Sequence, residues 1–232
     1  NYADRTFIIL GTSHFGEPDT FGLTRKPYST PLGLAETDVS IVDKLEQNAP
    51  RSVRMEDYCH VNEHSIELAT VWLHRALGQS NAKMLPVLCG SFGRLLADGA
   101  PDPTEHPQIS AAIDLLQEVA KQRRTVFIAA ADLAHVGPAF GDSELVPADS
   151  EGRQRVKSDD EALLKSIVRR NPRACLEAVK DKSDRNKICG LAPIYMMLWA
   201  SQATTGTWDG YQQCKADEDG TSFVSIAGAA LY

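Results

Sequence analysis

Hydrophobic and polar positions alternate along this chain in blocks that read as strands and helices. Arg5-Thr6-Phe7-Ile8-Ile9-Leu10 is an apolar, β-rich run that stops abruptly at Gly11-Thr12-Ser13-His14. Thr125-Val126-Phe127-Ile128-Ala129-Ala130-Ala131 has the same shape and leads to Asp132-Leu133-Ala134-His135. Such continuous runs suit strands buried on both faces of a sheet, whose carboxyl ends open into a crevice. Met84 to Gly90 and Phe223 to Tyr232 predict two more strands, and Phe21 to Thr24 a short one. Pro86 argues for an edge position or a strand start.

Between these runs the apolar spacing changes from two to three or four, the helical period. Helices are predicted over Val39 to Gln47 with Asp38 as N-cap, and from the N-cap Asn62 to about Leu77. The latter buries Ile66, Ala69, Leu73 and Leu77 on one face. Further helices are predicted over Gln108 to Arg123, Asp159 to Arg170 and Pro172 to Val179. An apolar helix follows Ile188-Cys189-Gly190 and carries Pro193 in its first turn. Gly137 to Asp160 is polar and aperiodic, which predicts a lid or a disordered excursion. Strands alternating with helices predict an α/β fold: a single three-layer domain over residues 1–232. Its central sheet is mostly parallel or mixed, with helices on both faces.

Composition narrows the function. The chain has 232 residues, a formal net charge of −7 and 43% hydrophobic residues. One domain can bury a full core at this length. The acidic balance argues against nucleic acid, which needs concentrated Lys and Arg. No apolar run is long enough to span a membrane, and no signal peptide is visible. Five scattered cysteines without a Cys-x-x-Cys pair predict a reduced, cytoplasmic setting. No GxGxxG or P-loop string supports a nucleotide cofactor.

Two strand-like runs each deliver a histidine just past their end, so His14 and His135 are the candidate walls of one active site. Asp132 is placed to orient His135 as an acid/base group near neutral pH, or else to cap a helix. Cys189 stands where a helix N-terminus would favour thiolate, a soft ligand or nucleophile, though cysteine is as readily plain core. His60-Val61-Asn62-Glu63-His64 spells the H-x-x-E-H string of inverted zinc peptidases, whose chemistry needs both histidines on one helix face. The alternative is that His60, His64 and Glu67 lend hydrogen bonds behind a site on the strand ends.

Gly11-Thr12-Ser13-His14, Thr30-Pro31-Leu32-Gly33 with Asp38 after it, Glu63-His64-Ser65-Ile66-Glu67, Asp132-Leu133-Ala134-His135 and Cys189-Gly190 occur in the order of the Memo-like family. This family is also called AmmeMemoRadiSam system protein B, and the chain resembles it over nearly its whole length. The resemblance implies a fold like that of the class III, LigB-type, extradiol dioxygenases, which hold non-haem Fe(II). It implies a pocket of histidines and a cysteine that binds iron or copper. His14 matches the second pocket histidine, His135 the acid/base histidine, and Cys189 the position of the dioxygenase carboxylate ligand. The family's first pocket histidine lies upstream of the Gly-Thr-Ser-His strand, ahead of where this sequence begins. Thiolate in place of carboxylate softens the site and shifts preference toward Cu(I) or Zn. The resemblance also implies a radical-SAM protein and an AMMECR-type protein as pathway partners. A module that captures a peptide or protein in the same pocket without turnover is the alternative from a different class.

Overall fold

The computed structural model describes residues 4–78, 82–97 and 100–232. In chain order the strands and helices begin with β1 (Thr6–Thr12), β2 (Phe21–Leu23), β3 (Tyr28–Thr30), β4 (Gly33–Ala35), α1 (Val39–Asn48) and β5 (Val53–Met55). They continue with α2 (Asp57–Asn62), α3 (Ser65–Leu77), β6 (Lys83–Cys89), α4 (Pro107–Gln122), β7 (Thr125–Ala130) and β8 (His135–Val136). The last are α5 (Glu151–Val168), α6 (Pro172–Lys180), α7 (Leu191–Ala200), β9 (Gly206–Lys215) and β10 (Phe223–Leu231).

The fold is α/β with a mixed five-stranded sheet in the order β5-β2-β6-β1-β7. β1 runs parallel to both β6 and β7, while β2 pairs antiparallel with β6 and parallel with β5. Every residue of β1 is buried, as a strand covered on both faces requires. Phe7 and Ile9 join Ile66, Met84 and Leu88 in one cluster, with Ala69, Leu73 and Leu77 of α3 packed on it. Ile8 and Leu10 point the other way and are equally buried. α1 buries Ile41, Val42 and Leu45, the stripe the spacing predicts.

Contacts divide the chain into two units. The first holds Asn1–Leu95, Ala100–Ala131 and Ala192–Ser201; the second holds Leu96–Gly99, Asp132–Leu191 and Gln202–Tyr232. The second unit contains a separate three-stranded sheet, β8-β10-β9, with antiparallel pairing throughout. The terminal strand therefore belongs to this sheet and not to the central one. Its main partner β9 carries Thr207, Asp209, Gln212 and Gln213 among its residues, which hides the strand from a search for apolar runs.

Three local expectations are corrected. Pro86 lies inside β6, a central strand and not an edge one, one residue ahead of the stretch that β2 pairs. The amide of Met84 donates to Glu36, away from β1, so the position of the missing Pro86 N–H is turned the same way. There β2 pairs only with Val87, Leu88 and Cys89, so no ladder bond is lost at Pro86. Second, the polar stretch after Gly137 is neither lid nor disorder from residue 151 onward. Ser150 caps α5 by accepting from the Arg153 amide, and the helix runs 18 residues. Its buried stripe includes Arg153 and Asp160, which disguise the period. Third, Asn62 ends α2, and α3 begins after His64.

Candidate metal centre

β1 ends at Thr12, and the Ser13 amide makes the next bond to the Cys89 carbonyl. His14 then leaves the sheet at the carboxyl edge of three parallel strands. The start of α3 reaches the same point. Ser65 Oγ donates to the Thr12 carbonyl at 2.9 Å. Gly11 makes this approach possible, because a Cβ there would lie 2.6 Å from both Ile66 Cγ1 and Ser65 Oγ.

Between α2 and α3, Glu63 adopts an extended backbone (φ −98°, ψ 132°) that breaks the helix and turns its carboxylate inward. That carboxylate is almost fully buried, with a side chain 1% exposed. It accepts from the His14 amide at 2.8 Å, from the His64 amide at 3.0 Å and from the Ser65 amide at 3.4 Å. The His14 ring Nδ1 lies 2.9 Å and 3.0 Å from its two oxygens. Burial alone would raise the Glu63 pKa, but the amide and ring donors of His14 outweigh it and hold the carboxyl below its ordinary range. An ionised carboxylate only accepts, so Nδ1 of His14 carries the proton. In the neutral ring that leaves Nε2 with the lone pair, on a side chain 38% exposed. The exposed His64 ring stacks on that of His14, with centroids 5.2 Å apart and planes 10° apart. One potential ligand atom from each of His14, Glu63 and His64 lies within 4.8 Å of the others.

This donor set fits a metal ion. Metal-bound histidines commonly give their second ring proton to a carboxylate, which fixes the tautomer and ring direction. Glu63 already receives several donors and is better suited to orienting His14 than to binding an ion itself.

Sequence reasoning named His14 and His64, but it read Glu63 only within the H-x-x-E-H string and the family motif and set Glu67 behind the site instead. Glu67 stands exposed one turn further along α3. The signal for Glu63 was present: the buried stripe of Ile66 and Thr70, extended back three residues, falls on it. His60 does not join the group. It is buried in α2, its Nδ1 2.7 Å from the Tyr28 hydroxyl and its Nε2 3.0 Å from the Gly22 carbonyl. Both ring nitrogens are engaged, and the chain breaks its helix between His60 and His64. The inverted zinc-peptidase ligand set is thereby overturned.

In the second unit, Asp132 and His135 lie together. Asp132 Oδ2 is 3.9 Å from His135 Nε2, an ion-pair distance and not a hydrogen bond. Nδ1 of His135 faces the Leu133 carbonyl at 3.2 Å, and the ring meets Phe140 edge-on. The next element after Asp132 is the strand β8, so Asp132 does not cap a helix. Cys189 is a half-buried thiol in the turn two residues ahead of α7.

A family model described as Memo-like protein matches residues 1–230. The chain belongs to the Memo-like family. It is 29% identical to a MEMO1 family protein of Methanosarcina acetivorans over 87% of this chain and 64% of that one. It is 26% identical to the memo-1 homolog of Caenorhabditis elegans over 86% of this chain and 53% of the relative. This Memo-like chain thus spans less than two thirds of the length of these relatives. An uncharacterized protein of Escherichia coli K12 shares the fold with a TM-score of 0.51 at 12% identity, over 98% of this chain and 86% of that one. No described helix of this family member is long and apolar enough to cross a membrane.

Proposed function

We propose that this Memo-like protein binds a redox-active transition metal, iron or copper, through Nε2 of His14. The observation that carries the reading is the buried Glu63 carboxylate clamped on His14 Nδ1. A neutral imidazole held in one tautomer, with its lone pair turned outward, is the form in which histidine ligates. The family resemblance extends the donor set to Cys189 and supplies His135 with Asp132 as the acid/base pair. When bound, such an ion would supply a Lewis-acidic, redox-active centre of the kind the resemblance to extradiol dioxygenases implies. The chain's own work is to orient His14, to keep Glu63 ionised behind it and to hold an imidazole at His135.

The test is metal content after anaerobic, reducing purification, read by elemental analysis. The parent protein is expected to hold iron or copper, His14→Ala to lose it and Cys189→Ser to lose it while remaining folded. Glu63→Gln is expected to weaken metal affinity by about 10–100-fold, the usual effect of removing a carboxylate behind a ligating histidine. Full metal retention in His14→Ala would overturn the reading.

A second reading, capture of a peptide or protein, has one observation in its favour. Tyr58 and Trp72 are 80% and 73% exposed on α2 and α3, the helices that flank Glu63 and His64. Exposed aromatic residues of this kind mark binding surfaces. Metal-free protein from the same purification favours this reading over the first.

A further inference from the structure

The turn that carries His135 is held from behind by one buried serine. Ser225 of β10 is fully buried. Its carbonyl accepts from the Leu133 amide at 3.0 Å, its amide donates to the Ala134 carbonyl at 2.9 Å, and its hydroxyl accepts from the Ala134 amide at 2.8 Å. Having accepted there, the hydroxyl donates its own proton to Asp160 Oδ2 at 2.6 Å. Asp160 lies in α5 with none of its surface exposed. The same Oδ2 accepts from the Tyr211 hydroxyl at 3.0 Å, and Gln213 Nε2 donates to that phenol at 2.9 Å. Asp160 Oδ1 is buried without a hydrogen-bond partner. A chain of donors therefore runs from β9 and from the Ala134 amide into one carboxyl group.

A buried carboxyl with one empty oxygen is costly. What the group does hold is Ser225, and through it the Leu133 carbonyl. That carbonyl faces His135 Nδ1, and a carbonyl can only accept.

We infer that Asp160 and Ser225 are positioning residues that set the tautomer of His135: by fixing the Leu133 carbonyl they keep the proton on Nδ1 and leave Nε2, the nitrogen facing Asp132, as the base. Asp159 and Lys182 are the other charged groups acting on Asp160, with the Tyr211 phenol facing it from β9. Burial raises the Asp160 pKa to about 6, so the carboxyl is ionised, and at its best as an acceptor, above that pH.

The inference rests on reading His135 as the acid/base group, but its test does not use turnover or metal content. Nitrogen-15 NMR of the histidine rings reports the tautomer directly. At about pH 8, His135 of the parent is expected in the Nδ1–H form. Ser225→Ala and Asp160→Ala are expected to lose that form in favour of Nε2–H, which free imidazole side chains prefer, with circular dichroism showing the fold intact. Asp160→Asn keeps an acceptor and is expected to retain Nδ1–H. A parent His135 in the Nε2–H form overturns the inference even if every variant fails to fold. A folded Ser225→Ala with His135 still locked as Nδ1–H overturns it too. Either result leaves the reading of His135 as acid/base standing; a His135→Gln variant with unchanged turnover would remove that reading and leave the tautomer result intact.

Discussion

At the scale of single residues, two buried titratable groups give opposite pH signatures. Burial pushes the His60 pKa down to about 4, so the folded protein keeps the ring neutral where the unfolded chain protonates it. Between about pH 6.5 and 4 the unfolded state binds the extra proton, and His60 lowers stability as pH falls. Denaturant midpoints should therefore decline over this window in the parent and decline less in His60→Gln. Asp160 behaves in the reverse sense. Its folded pKa lies above the ordinary carboxylate value, so its stability contribution is complete below about pH 4 and lost as pH rises through about 6. Asp160→Asn is expected to stabilise the protein at pH 8 by about 1–3 kcal/mol and to match the parent near pH 4, read by urea unfolding at both pH values.

At the scale of elements, the start of α3 and the end of β1 depend on each other. Gly11→Ala places a methyl group 2.6 Å from Ile66 Cγ1, a side chain fully buried in the central cluster. The expected cost is about 1–3 kcal/mol, measured by thermal or denaturant unfolding, with a matching loss of metal affinity as α3 moves away from His14. The helix faces show what a sequence can and cannot disclose. The stripe of α1 is written in aliphatic residues and was legible, as was that of α3 apart from the fully buried Thr70. That of α5 is broken by Arg153, which donates to the Val146 and Gly220 carbonyls and lies 4.3 Å over the Phe223 ring. Polar residues satisfied in this way look like surface until their partners are known, and those partners lie far off in the chain. The role of Glu63 behind His14 escaped notice for the same reason. His14, at the tip of an apolar run, was visible because the run itself points at it.

At the scale of the whole molecule, the central sheet was legible in outline, since β1, β6 and β7 are continuous apolar runs. The second sheet was not, because β9 is half polar and its pairing with β10 is set by contacts rather than pattern. The described surface includes an exposed apolar pair on α3. Leu68 and Trp72 stand one turn apart on α3, both well exposed. Neither supports the core, so Leu68→Ala with Trp72→Ala is expected to leave the unfolding midpoint within about 0.5 kcal/mol of the parent per site. If the patch receives a partner, the double variant loses that association while keeping its metal, measured by pull-down and elemental analysis together.

Glu63 ties two stretches of chain 49 positions apart and also steers the imidazole that would greet an ion. Occupancy and folding therefore share one hinge pin. Titrating the protein with ferrous or cuprous ion should raise its melting temperature. Glu63→Gln should blunt that rise, so a simple thermal scan becomes a gauge of how full the protein is.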